Sequence, residues 1–175
     1  MDDLLEVMYT RRSIREYTDE PVTDEQVETM LKAAMAAPSF QNLCPWHFVV
    51  VRKRKLLDKL AETHKYAHML AKAPLAVAVC GDTEISERHW VEDTCAATQN
   101  LLLAVTAVGL GGVWISVYPN KKRMKYVGQM LDVPDDIEVL CLVAVGHPSE
   151  EQQAHKQYDP KRVHYDRWRP ERGEK

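Results

Sequence analysis

The sequence has no segment that reads as an export signal or a membrane anchor. Its first residues, Met1 to Met8, carry Asp2, Asp3 and Glu6 and hold no apolar core of signal length, so the chain is expected in the cytoplasm. Charge of one sign is also lacking. The 23 Lys and Arg against 26 Asp and Glu leave a net charge of −3, which gives no basic field for a nucleic acid or an anionic membrane. Only four cysteines occur, Cys44, Cys80, Cys95 and Cys141, far apart and without a C-x-x-C pair, which disfavours a zinc site or a disulfide framework. The sequence shows no G-x-S-x-G elbow, P-loop, internal repeat or low-complexity tract, so hydrolase chemistry has no support.

What is present is one domain's worth of chain, 175 residues with 45% apolar and 28% charged side chains, in the range of ordinary soluble domains. An apolar stripe, Leu4, Leu5, Val7 and Met8, predicts a first short helix ending near Thr10. Thr23 followed by Gln26 reads as a capping box opening a second helix that Pro38 stops. Trp46 to Val51, Leu75 to Cys80, Val113 to Val117 and Val139 to Val145 read as strands, and Lys55 to Thr63 and Lys121 to Leu131 as helices. The longest periodic segment, Val91 to Val108, is ended by Gly109 and is so apolar that it is expected at the centre or in a subunit interface. The alternation predicts α+β around one sheet. Beyond Pro148 a polar tail is punctuated by Tyr158, Val163, Tyr165 and Trp168, aromatics that imply docking on another surface.

Several segments could carry chemistry. Arg11-Arg12-Ser13-Ile14-Arg15 places three guanidinium groups and a hydroxyl within five residues, the donor geometry that suits phosphate oxygens. A solvated basic loop pairing with Glu16, Asp19 and Glu20 explains the same residues. Gly109-Leu110-Gly111-Gly112 follows a helix, and the third glycine of a G-x-G-x-x-G fingerprint would fall on Trp114, so a Rossmann site is rejected. Those glycines can end the helix or let backbone approach a flat ligand, leaving strand amides near Trp114 to Ser116 open. His64 and His68 have i, i+4 spacing, but no nearby carboxylate or cysteine completes a metal set. Cys44 is read as a packed thiol without a role.

In order and spacing, Arg11-Arg12-Ser13-Ile14-Arg15, Ala37-Pro38-Ser39-Phe40-Gln41-Asn42 with Pro45-Trp46-His47-Phe48, Gly109-Leu110-Gly111 with Trp114-Ile115, and Gly146-His147-Pro148 resemble the nitroreductase family of FMN-dependent oxidoreductases. The resemblance runs from about Leu4 to Trp168. It implies an α+β fold with a central mixed sheet flanked by helices. It also implies a single domain over 1–175 and an intertwined homodimer, in which the tail, about 149–175, is exchanged onto the partner. Carried over, Arg11, Arg12 and Ser13, with Arg15 beside them, would hold the FMN phosphate and ribityl end. Pro38, Ser39 and Asn42 would contact the flavin from the other subunit, and the backbone of Trp114, Ile115 and Ser116 would face the ring. Two departures stand out, Cys44 where many relatives have glutamine and Gln157 where a basic residue precedes the tail aromatic; Lys156 is the candidate to supply that charge.

The resemblance further implies that NADH or NADPH passes a hydride to the flavin and leaves. An electron-poor acceptor, a nitroaromatic, a quinone or a related compound, then takes its place in a ping-pong cycle. No side chain is assigned as nucleophile or general acid, and no metal is expected. A flavin-binding sensor or carrier with little turnover on the same scaffold is the alternative.

Overall fold

The computed structural model describes residues 2–168; residues 169–175, the end of the expected tail, lie outside the described residues. Helix α1 spans Asp2–Thr10 and α2 Asp24–Met35, followed by strand β1 at Trp46–Val51, α3 at Arg54–Ala61 and β2 at Leu75–Asp82. Then come α4 at Trp90–Ala107, β3 at Gly111–Ser116, α5 at Lys121–Met130 and β4 at Ile137–Gly146. Each expected element is found within two or three residues of its sequence bounds.

Local chemistry explains the boundaries. At the start of α2 the Thr23 hydroxyl accepts from the Gln26 amide at 3.1 Å, and the Gln26 side chain accepts from the Thr23 amide at 3.0 Å, a reciprocal cap. At the end of α4 Gly109 turns into the left-handed region (φ 78°). The Gly109 amide then donates to Thr106 and the Leu110 amide to Val105, so two carbonyls that the helix leaves open are satisfied.

The strand order is β1-β2-β4-β3, and here the sequence expectation is corrected. Instead of a mixed sheet, all three strand pairs are antiparallel. The crossover through α4 does lay β3 parallel to β2, but β4 slots between them and runs against both. Among the described residues, parallel pairing is confined to the single bridge between Ser13 and Gly112. Strand β4 is buried from Val139 to Gly146 and β2 from Leu75 to Gly81, which is why both read as continuous apolar runs and not as alternating ones. Helix α4 lies against all four strands and α2 packs on α4.

The segment after α1 is laid across the end of the sheet. The Ile14 amide donates to Gly112 at 3.1 Å and the Thr18 amide to His147 at 2.9 Å. Gly111 and Gly146, opposite each other in the β3–β4 ladder, make that approach feasible. A Cβ on Gly111 would sit 2.7 Å from Ile14, and one on Gly146 would meet Pro74 at 2.7 Å and Tyr17 at 2.8 Å. The glycines thus admit the protein's own chain, a use that the sequence left undecided.

Candidate functional site

Three pieces predicted from sequence acquire positions. The first is the Arg11–Arg15 segment. The Arg12 guanidinium donates to the Gln153 carbonyl at 2.6 Å and lies 3.3 Å from His155 Nδ1, while its Nε is buried without a partner. Among the described residues neither the Arg11 guanidinium nor the Ser13 hydroxyl has a hydrogen-bond partner. The Arg15 amide donates to Glu150 Oε1 at 2.7 Å, and its guanidinium reaches the Ser13 carbonyl at 3.2 Å. Of the acids offered as partners in the solvated-loop reading, Glu16 pairs with Lys72 and Glu20 lies near His147; none takes an arginine of this cluster. Lys156 is exposed next to His155 and has no ion pair among the described residues.

The second piece is strand β3. Gly112 turns its carbonyl to Ile14, away from β4, and alternation along the strand sends the backbone of Trp114 and Ser116 to the same outer edge. Ile115 instead faces β4 with its amide and is buried. Beside this edge lies a cleft of about 380 Å³ lined by Arg15, His64, Tyr66, His68, Trp114 to Ser116 and Arg123 among others. Among the described residues no carboxylate lines it. The segment after α3 is irregular, so His64 and His68 do not share a helix face. His64 Nδ1 accepts from the Tyr66 amide at 3.1 Å, which leaves the ring proton on Nε2. That atom is buried, without a geometric hydrogen bond, near the backbone of Ser116. Burial, and then the Arg123 guanidinium, hold His64 below its ordinary value, so the imidazole is neutral near pH 7. Among the described residues no cluster of three metal-ligating side chains occurs.

The third piece, the loop from Pro38 to Pro45, sits elsewhere. It leads into β1, at the opposite edge of the sheet from β3, three strand spacings or about 14 Å away. Among the described residues no hydrogen bond joins it to the Arg11–Arg15 segment or to β3. Within the loop the Ser39 hydroxyl accepts from the Cys44 amide at 2.9 Å, and the Asn42 amide donates to the Ser39 carbonyl at 3.1 Å. Pro38 and Asn42 are exposed, and so is the Cys44 thiol, which corrects its reading as a packed group. Cys80, by contrast, is buried in β2, and burial pushes its thiol up to about 12.

A sequence profile of the Nitroreductase family matches residues 8–65 and 61–147, most of the chain. The chain belongs to the nitroreductase family. This family member is 43% identical over 174 residues to an Archaeoglobus fulgidus protein whose name, NADH dehydrogenase/NAD(P)H nitroreductase, is provisional; the match spans 96% of this chain and 100% of that one. A crystal structure of a Parabacteroides distasonis protein with the same provisional name superposes with a TM-score of 0.94 at 40% identity, covering 96% and 100% of the two chains. The FMN-dependent nitroreductase of Clostridium difficile R20291 superposes at 0.88 with 32% identity, covering 94% and 99%.

Sequence reasoning missed His64, Tyr66, His68 and Arg123 as neighbours of the β3 edge, and it missed Glu150 and His155 as neighbours of the arginines. Arg123 carries a signal in hindsight. Lys121, Lys122, Arg123 and Lys125 crowd the N-terminal half of α5, where the helix dipole disfavours cations. His155 carries none, because only the tail's path, with its amide on the Tyr9 carbonyl, brings it to Arg12.

Proposed function

We propose that the protein is a cytoplasmic, homodimeric FMN-dependent oxidoreductase that takes a hydride from NADH or NADPH and reduces an electron-poor acceptor, a nitroaromatic or a quinone, in a ping-pong cycle. The observation that carries this reading is the bridge from Ser13 to Gly112. It joins a cluster of only partly committed phosphate-type donors to the strand whose outer backbone edge is open, so that one elongated ligand with an anionic end and a flat end can engage both.

The residues present fit FMN. The buried, unpartnered Arg12 Nε and the unpaired Arg11 and Ser13 groups have the chemistry for a phosphate, with Arg15 between them and the cleft. The outward amides of Trp114 and Ser116 offer donors to a polar ring edge, and Arg15 and Arg123 set a positive potential along it. Bound FMN supplies the hydride chemistry. The chain's own part is to bind, to orient and to exclude water. Pro38, Ser39 and Asn42 lie too far along the sheet to close their own chain's cleft, which supports their reaching the cofactor of a second copy. An apolar groove formed by Val7, Ala33, Ala36, Leu103, Ala104 and Ala107 supports the same pairing. Lys156 adds charge beside the phosphate end; Glu150, Gln153 and His155 stay on their own chain, and the exposed tail aromatics Tyr158, Tyr165 and Trp168 lie on the partner.

The test is a visible spectrum of the purified protein, followed by anaerobic NADH and NADPH additions. Flavin absorbance that bleaches and returns with menadione or a nitroaromatic, with parallel double-reciprocal lines, is expected. FMN that stays oxidised with both nucleotides would instead assign a sensor or carrier, and no binding of added FMN would overturn the site.

A further inference from the structure

Asp93 is a buried acid in the first turn of a helix otherwise chosen for its apolar residues. It is 5% exposed, its Oδ1 accepts the Phe40 amide at 2.8 Å and its Oδ2 lies 3.4 Å from the Ser86 hydroxyl. The Phe40 ring is stacked on His89, with centroids 4.1 Å apart and planes at 27°. Both contacts run from the start of α4 to one residue of the Pro38–Pro45 loop. Between Ser39 and Cys44 the loop's other hydrogen bonds are internal.

The loop needs an outside hold. Gln41, Asn42 and Cys44 have φ of 49°, 58° and 50°, left-handed conformations that are disfavoured for residues with a side chain. A buried carboxylate is also an expensive way to fill a helix–loop contact, since an apolar side chain of similar size stabilises as well or better. What Asp93 does that leucine cannot is accept a hydrogen bond from Phe40, beside Ser39 and two residues before Asn42.

We propose that Asp93 is a positioning residue that, through the Phe40 amide, holds Pro38, Ser39 and Asn42 in the geometry that meets the cofactor of the second subunit. This rests on the FMN reading above. The His89 stack is the second half of the clamp, fixing the ring of Phe40 while Asp93 fixes its backbone. Asp93 touches no ligand itself.

FMN titrations of the flavin-stripped dimer, with amide exchange read at Phe40 and Leu43, test it. Asp93→Leu is expected to weaken FMN binding about tenfold, the loss of one hydrogen bond to a charged group, and to speed exchange at Phe40 while β2 and β4 amides stay protected. Asp93→Asn keeps the accepting oxygen and is expected within about twofold of the parent, a margin small beside that loss. Phe40→Ala, at a residue already 45% exposed, is expected to lose about threefold. Parent-like affinity and Phe40 protection in Asp93→Leu would overturn the proposal, as would Asp93→Asn binding as weakly as Asp93→Leu. If Asp93→Leu does not fold, the other two variants decide, since the proposal requires FMN binding kept in Asp93→Asn and weakened in Phe40→Ala. Parent protein that takes up no FMN would defeat the FMN reading, and exchange at Phe40 in the flavin-free variants would still decide the clamp.

Discussion

In the proposed site Arg12 is expected to matter more than its neighbours, because its surroundings half-commit it. The Gln153 carbonyl and His155 hold one nitrogen and leave the buried Nε for a ligand. Arg12→Gln is expected to weaken FMN binding at least about tenfold, as loss of a charge-assisted pair, in a fluorescence titration. Lys156→Ala, at an exposed cation, is expected to cost about threefold at low salt and almost nothing at high salt, because only screened attraction is removed. Glu150 works in the opposite sense: the backbone amide of Arg15 first, then Gln152, the Glu16 amide and the Arg15 charge, hold its carboxyl below the usual value. A carboxyl depressed in the folded state stabilises fully above its unfolded value and loses that contribution as pH falls through the depressed one. Protection of the Arg15 amide, measured relative to its intrinsic exchange rate, should therefore fall on acidification below the ordinary carboxylate range, and Glu150→Ala should abolish that loss of protection at a cost below about 1 kcal/mol. The arginines were legible in sequence because three guanidinium groups in five residues are unusual. Glu150, His155 and Asp93 were not, because each acts on a residue more than fifty positions away.

Elements were read well where one physical signal dominated: the reciprocal cap at Thr23, the glycine stop at Gly109, the apolar runs of β2 and β4. The direction of pairing was not legible, since nothing in the composition of β4 says that it enters between β2 and β3. The Gly111 and Gly146 pair had an equally silent purpose. Gly111→Ala places a methyl against Ile14 and is expected to destabilise by about 1–3 kcal/mol through overpacking, measured by urea denaturation. It should also lower FMN affinity, because the displaced strand segment is the one carrying the arginines. Loss of stability with unchanged FMN affinity would disconnect the glycine from the site.

At the scale of the whole molecule the single chain leaves too much apolar surface in water. Tyr158, Tyr165 and Trp168 are 81%, 76% and 78% exposed, Leu5, Met8 and Tyr9 of α1 are exposed too, and the groove beside α4 lies open. The sequence announced this through a nearly uncharged helix and an aromatic tail, although it could not say which surface meets which. A chain ending at Gln157 keeps Glu150, Gln153 and His155 against the arginines and removes the tail aromatics. It is expected to dissociate at least about tenfold more readily in sedimentation experiments, as loss of aromatic anchors predicts, and an unchanged dimer would show that α1, α2 and α4 suffice.

The order in which the chain leaves the ribosome gives the Ser13–Gly112 and Tyr17–Pro148 bridges one more meaning. The arginine segment is made well before β3 but has nothing to lie on until β3 exists, and β3 has no neighbour in the sheet until β4 fills the gap beside β2. The arginine segment is therefore fixed only after β3 and β4 have been made, and whatever it grips is gripped by a chain whose sheet is already assembled.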